Sequence, residues 1–332
     1  MQSNTLQFPE TLVECVRYFS DPENVHNFAV CMRWSDGVIC PFCKGSEHSF
    51  ISTRKTWQCK TCKKQFSVKM GTIFEESRLS LDKWFTAMWL VANAKNGISS
   101  HELGRSLGIT QKTAWFLLHR IRYSMDNGTI ELMEGTVEVD ESFIGGKAKN
   151  MHKDKKKEKI TGRGASGKTV VLGILERGNT QKDENGKYRK NEDRIYSKIH
   201  TKVVPDTLEK TLCDEIKETV KVGTEVFTDA LKSYRVLGEQ GFKHAFVDHA
   251  IKYVEGRVHT NGCENFWGLL DRQMHGTYVY CLPKHLFRYT NELAYRFNHR
   301  DGTDCTRFLI VMGQTREKRL TYAALTGKGK PK

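Results

Sequence analysis

Two C-x-x-C pairs, Cys40-Pro-Phe-Cys43 and Cys59-Lys-Thr-Cys62, lie fifteen residues apart near the amino end of this chain. Each pair belongs on a tight knuckle that aims two thiolates at one point. Two such pairs at ribbon spacing supply the four sulfurs of a structural Zn2+ site. A redox C-x-x-C motif has no need of a second copy at that distance. Phe50, Ile51, Trp57 and Phe66 are the apolar residues available to cover a short β-hairpin between the pairs. A second constellation, Asp140, Asp229 and Glu264, suits a different chemistry. Breaking or joining a phosphodiester builds negative charge on the attacking and leaving oxygens, and two Mg2+ ions about 3.5–4 Å apart stabilise both. Mg2+ is a hard ion that prefers carboxylate oxygens. Asp140 would bridge the two ions, with Asp229 on one and Glu264 on the other.

The elements that must position these groups are legible in the pattern. Residues 9–33 read as two short helices, opened by Pro9 and Asp21-Pro22. The ribbon occupies 36–70. Residues 79–123 read as three helices, in which Gly108 turns the chain and Thr110 caps the last. Helix, glycine turn and capped helix is the layout of a helix-turn-helix. Gln111, Lys112, Thr113, His119, Arg120 and Arg122 are then expected on or near its exposed face, as DNA contacts. Strands follow at 136–144, 169–176 and 194–204, a helix at 205–219, and a short strand at 225–228 that ends at Asp229. Residues 231–240 read as helical, 244–247 as extended, and 260–274 and 284–298 as helices. Residues 147–168 are lysine-rich and read as a mobile loop.

This order is that of an RNase H-like α/β core. Asp140 lies amid β-branched residues in the first strand, an expensive place for an unpartnered charge. In the 260–274 helix, Phe266, Leu269 and Leu270 mark the core face. Glu264 lies on the other side with Asn261, Gly268 and Asp271 at helical spacing, so Asn261 is a further candidate ligand or phosphate contact. Of the two neighbouring acids, Glu138 shares the strand face of Asp140 and Glu141 points to the opposite one.

The motifs Val-Glu-Val-Asp140-Glu-Ser-Phe-Ile-Gly-Gly-Lys147, Phe-Thr-Asp229-Ala-Leu-Lys-Ser-Tyr234, His259-Thr-Asn261-Gly-Cys-Glu264-Asn-Phe-Trp-Gly-Leu-Leu270, His275-Gly-Thr-Tyr278 and Tyr295-Arg-Phe-Asn-His-Arg300 carry a family resemblance. Over residues 8–300 the chain resembles the bacterial insertion-sequence transposases with an amino-terminal zinc ribbon (ISXO2-like), relatives of the eukaryotic Merlin elements. The resemblance implies a DDE transposase with an RNase H-like core that acts on terminal inverted repeats with Mg2+. It matches Asp140 and Asp229 to the two family aspartates, and Asn261 and Glu264 to the third place, with Glu264 favoured as ligand. Seven residues after that Glu the family usually carries a lysine. Here Asp271 stands there, followed by Arg272, the candidate replacement for a basic DNA contact.

Composition agrees with a polyanionic partner. The 53 Lys and Arg outnumber the 39 Asp and Glu, for a net charge of +14, and basic side chains gain by displacing counterions from phosphates. The start lacks a signal-peptide pattern, no apolar run reaches membrane length, and the cysteine usage fits a reducing cytoplasm, here that of a bacterium with the protein on its nucleoid. The expected organisation is a helical segment (1–35), the ribbon (36–70), a helix-turn-helix (79–123), a catalytic domain (135–300) and a carboxyl-terminal tail (301–332). The expected partners are double-stranded DNA and further copies of the chain, as a homodimer or higher multimer. Two rivals stay open: a DNA-binding regulator with an inactive core, and a structure-selective nuclease of the same fold.

Overall fold

Thr11 and Glu14 form a reciprocal capping box that starts α1 (Leu12–Tyr18), and Asp21 with Pro22 starts α2 (Pro22–Arg33). The computed structural model describes residues 9–126, 131–146, 167–179, 194–247 and 256–327. The lysine-rich segment expected to be a mobile loop lies outside these residues, apart from 167 and 168. The chain forms two units, Met1–Asn127 with Gly302–Lys332, and Gly128–Asp301. Among the described residues no helix is long and apolar enough to cross a membrane.

In the first unit, β1 (His48–Ile51), β2 (Thr56–Cys59) and β3 (Gln65–Ser67) form an antiparallel sheet. Phe50 faces Trp57 and Trp57 faces Phe66 across it. Trp57 and Phe66 are buried as expected, whereas Phe50 remains 49% exposed. The helices α3 (Leu81–Asn93), α4 (Ser100–Leu107) and α5 (Gln111–Ser124) follow. Gly108 turns α4 into α5 with φ +61°, the left-handed region that favours glycine. Gly104 sits where an added Cβ would lie 3.0 Å from the Ile109 carbonyl, so the turn packs closely on α4.

The expected carboxyl-terminal tail is corrected. Residues 304–313 form α9 (Asp304–Gly313), and Tyr322–Thr326 form the short α10. Phe308 of α9 stacks on Phe28 with ring centroids 5.6 Å apart and lies 5.3 Å from Trp89. The physical cause is the apolar stripe Phe308, Val311 and Met312, which α9 buries in this unit.

In the second unit, β4 (Thr136–Ile144), β5 (Thr169–Glu176) and β6 (Lys198–Val204) are antiparallel neighbours, and β7 (Glu225–Asp229) and β8 (Lys243–Val247) run parallel to β4. The sheet order is β6-β5-β4-β7-β8. Both faces are covered. Val137, Val139, Leu172 and Ile174 pack with Leu212 and Ile216 of α6 (Glu209–Thr219). Val171, Leu175 and Ile199 pack with Phe266 and Leu270 of α7 (Asn261–Gln273) and Leu293 of α8 (Leu286–Asn298). Burial on both sides explains why β5 reads as a continuous apolar run. The helix expected at 231–240 is a 3-10 helix, Lys232–Leu237, and the third strand begins at Lys198 rather than at residue 194.

Candidate metal centres and nucleic-acid interface

Two matched knuckles present the cysteines. Lys44 N donates to Cys40 O (2.9 Å), Lys63 N donates to Cys59 O (3.1 Å), and both lysines have positive φ, 61° and 59°. That backbone is uncommon for a side chain with a Cβ, and its recurrence after each C-x-x-C shows that the two turns are the same device. One ligand atom from each cysteine lies within 4.8 Å of the others. Cys40 Sγ is 3.7 Å from Cys62 Sγ, and Cys43 Sγ is 3.5 Å from Cys59 Sγ. A tetrahedral ion with Zn–S bonds of about 2.3 Å places its sulfurs about 3.8 Å apart. The backbone N–H of Cys62, first among several donors, lowers the Cys59 thiol to about 6, while the contact with Cys59 helps push Cys43 up to about 11, so one proton is shared out unevenly and the spacing of the four sulfurs carries the metal argument. The four cysteines therefore fit Zn2+.

The carboxylate centre is built by sheet register. The parallel pairing Glu138↔Phe227 is the last between β4 and β7, and continuing it by two residues sets Asp140 beside Asp229, the terminal residue of β7. Carboxylate oxygens of Asp140, Glu141 and Asp229 come within 4.8 Å of one another. Burial raises Asp140 to about 6, opposed by an N–H from Trp267 and reinforced by Asp229 and, least, Glu264. Burial raises Glu141 to about 9, with Asp229 and Asp140 adding to the shift. Acids crowded this way resist simultaneous ionisation, and a hard divalent cation among them removes the conflict. Three carboxylate oxygens are a donor set that fits Mg2+.

Glu138, which shares the strand face of Asp140, has a structural task. Its carboxylate is 1% exposed. It accepts from Arg177 Nε (2.6 Å) and from the backbone N–H groups of Gly262 (2.7 Å) and Cys263 (3.1 Å) at the start of α7. Arg177 Nη2 also lies 2.8 Å from His259 Nδ1 and donates to the His259 carbonyl at 2.7 Å. Thr260, the N-cap, makes no side-chain cap, so Glu138 supplies the anion that this helix start favours. Gly262 permits the approach, since an added Cβ would stand 2.8 Å from Glu138 Oε2. Two residues along the strand, Asp140 Oδ2 accepts from Trp267 Nε1 at 2.9 Å. Opposite Asp140 on β5 is Gly173, whose missing side chain leaves space for the indole, since a Cβ there would lie 2.6 Å from Trp267. Strand and helix advance together, because two strand residues and four or five helical ones each span about 7 Å.

Glu264 lies between these two anchors, exposed, one turn before Trp267. It is not among the three carboxylates whose oxygens gather within 4.8 Å. The third member there is Glu141, whose carboxylate also accepts a hydrogen bond from Tyr234 Oη. Strand parity alone assigns Glu141 to the other face. The end of the β4–β7 pairing next to it escapes a parity argument. Trp267, Gly173, Arg177 and His259 carried no separate sequence signal beyond the motifs that contain Trp267 and His259. Asn261 and Arg272 are exposed on α7, and Asp271 pairs with His275 at 2.8 Å.

The exposed face of α5 is smaller than expected. Gln111, Lys112 and Thr113 are exposed, and Gln111 Nε2 donates to Ser100 Oγ at 2.9 Å. His101 and Arg105 of α4 share a cleft with Gln111 and Thr113. His119, Arg120 and Arg122 are buried, which corrects their placement as surface contacts. The Arg120 guanidinium lies between Trp84 and Phe116, 5.2 and 5.3 Å from their ring centroids, and donates to the Glu75 carbonyl at 2.6 Å. Beyond its first turns α5 is buried from Leu117 to Arg122, so charge in the sequence there does not imply exposure.

Comparison with known proteins adds an independent line. The profile of the ISXO2-like transposase domain matches residues 132–298, and that of the transposase zinc-ribbon domain matches residues 20–65. A Halobacterium salinarum protein described as an uncharacterized protein in transposable element ISH50 is 27% identical over 268 residues, covering 77% of this chain and 84% of that one. An uncharacterized transposase-like protein of Haemophilus influenzae is 35% identical over 105 residues, covering 31% of this chain and 84% of that one. No solved structure matches the chain.

Proposed function

Because this chain belongs to the family of ISXO2-like transposase domains, we propose that it binds the terminal inverted repeats of a mobile element, cleaves the DNA there, and joins the freed 3′ ends to a target. The observation that carries the proposal is the meeting of Asp140, in the middle of β4, with Asp229, at the end of β7, just beyond the last β4–β7 pair, half-buried with Glu141 and crowded enough to call for a cation. The strand order β6-β5-β4-β7-β8, with three antiparallel strands followed by two parallel ones, supports an RNase H-like reading of the second unit. The α3–α5 arrangement around Gly108 supports a helix-turn-helix in the first.

In this reading Asp140 and Asp229 hold Mg2+, and Glu264 completes the set from the flank of α7, with Asn261 one turn earlier as a phosphate contact. Bound there, two Mg2+ ions would stabilise charge on the attacking and leaving oxygens. Trp267 fixes Asp140 by donating to one of its oxygens. The Glu138–Arg177–His259 cluster holds the start of α7, and with it the position of Glu264. Gln111 and Lys112 read the element's end from the first turn of α5, as recognition helices do, and Arg272 meets phosphate at the far end of α7. Two element ends must react together, so two or more chains pair on the DNA.

The test is incubation of the purified chain with duplexes that carry the inverted repeats flanking its gene. Mg2+-dependent nicking at the repeat boundary, followed by joining to a second duplex, is expected. Repeat-specific binding with no nicking in Mg2+ or Mn2+ would instead identify a DNA-binding regulator. Cleavage indifferent to the repeats would identify a structure-selective nuclease.

A further inference from the structure

The start of α3 differs chemically from the other helix starts of its unit. Thr11, Asp21, Ser99, Thr110, Thr303 and Thr321 each accept a backbone N–H of the helix they open. Ser80, the N-cap of the thirteen-residue α3, makes no such bond. The positive end of that helix is thus left without a side-chain oxygen of its own cap. A cleft opens over this turn, lined by Arg78, Ser80, Lys83 and Trp84 on one side and by Thr113 and Phe116 of α5 on the other.

Arg120 also lines the cleft, although it is only 4% exposed. Its guanidinium is held by the Trp84 and Phe116 rings, and its Nε has no hydrogen-bond partner. A buried cation with an unused donor is costly unless an acceptor arrives. Glu76, the acid that lines this cleft, is engaged by Arg319 at 2.7 Å. The cleft therefore combines an uncapped helix start, a buried guanidinium donor, two further cations and the hydroxyl of Thr113, a set that suits a tetrahedral oxyanion.

We propose that this cleft is a phosphate-binding site that grips one backbone phosphate of duplex DNA. The inference rests on the reading of DNA as the substrate. Thr113 belongs both to the cleft and to the exposed first turn of α5, so a phosphate held here fixes that turn's register on the duplex without reading sequence.

The experiment uses the full-length, zinc-loaded chain and two duplexes, one carrying the element's end and one of unrelated sequence, titrated at several salt concentrations. Ser80→Asp gives α3 a carboxylate of its own. It should leave the melting temperature unchanged or higher yet weaken binding to both duplexes by about tenfold at low salt. Lys83→Ala should weaken both duplexes alike and reduce the slope of log Kd against log salt by about one. Wild-type affinity and slope in both variants would overturn the site while leaving DNA binding intact. If inorganic phosphate raised the melting temperature of the wild type but not of Ser80→Asp, with duplex binding untouched in both variants, the ligand would be a free anion and the DNA assignment wrong. A wild-type chain that bound neither duplex would overturn the reading of DNA as substrate, and this site with it.

Discussion

The cysteine cluster and the carboxylate cluster each converge on one point, and they are built in opposite ways. In the ribbon, two identical knuckles carry the ligands, each closed by a hydrogen bond four residues long, and paired sulfurs come within 3.5–3.7 Å beside a three-stranded sheet with only Trp57, Cys59 and Phe66 buried among its strands. In the second unit, the carboxylates come from strands separated by most of a domain, and an extensive core on both sheet faces forces them together. The ribbon is short of core, and a Zn2+ ion on its four cysteines would supply folding free energy. The sheet is rich in core and tolerates a cluster of acids that a bound cation would relieve. A metal would thus be a source of the fold in one region and a beneficiary of it in the other.

The largest effect that would sharpen this contrast is loss of zinc. Structural zinc contributes on the order of 10 kcal/mol to small domains of this kind. Cys40→Ser or Cys62→Ser should therefore release about one zinc per chain and remove amide-exchange protection from residues 48–67, while 136–144 and 169–176 stay protected. Retained protection in the ribbon would break the comparison at its root.

Next in size is catalysis. Asp140→Asn and Asp229→Asn should each lower repeat-end cleavage by about a thousandfold or more, as expected when a group acting in the transition state is lost, with DNA affinity and melting temperature held. The third position is then decided by Glu264→Gln against Glu141→Gln. Loss of about a hundredfold or more in Glu264→Gln, with a smaller defect in Glu141→Gln, is the expected order. The reverse order would move the third ligand onto β4.

A smaller effect concerns pH. Asp140 and Glu141 are raised to about 6 and about 9 from ordinary values of 3.8 and 4.5. Between each pair of values the folded chain holds more protons than the unfolded one, so stability falls as pH rises. In magnesium-free buffer the melting temperature of the second unit should decline from pH 4 towards 9. Millimolar Mg2+ or Glu141→Gln should flatten the decline. A flat profile without Mg2+ would show that the acids are not in conflict. The smallest effect is at the DNA face: Lys112→Ala should weaken element-end binding only a few-fold and lower the salt slope by about one.

How much could be read in advance differs between the two regions for a physical reason. The C-x-x-C knuckles and the α4–α5 turn at Gly108 follow from contacts within a few residues, so spacing and residue type determined them, and the unbroken apolar run of β5 marked a strand covered on both faces. The positions of Asp140 and Asp229 also followed, because each sits at a recognisable strand. Tertiary structure alone decided the rest. It turned the segment after residue 301 into a core helix, because Phe308 finds Phe28 and Trp89, far away in sequence. It buried Arg120 and Arg122 by surrounding α5 with other helices. It brought Glu141 to Asp140 and Asp229 where β4 and β7 stop pairing, and it gave Glu138 to the start of α7 through Arg177. Local sequence sets backbone conformation and which side of an element is apolar. Which distant group fills the space beside a charge is set by packing, and packing is a property of the whole chain.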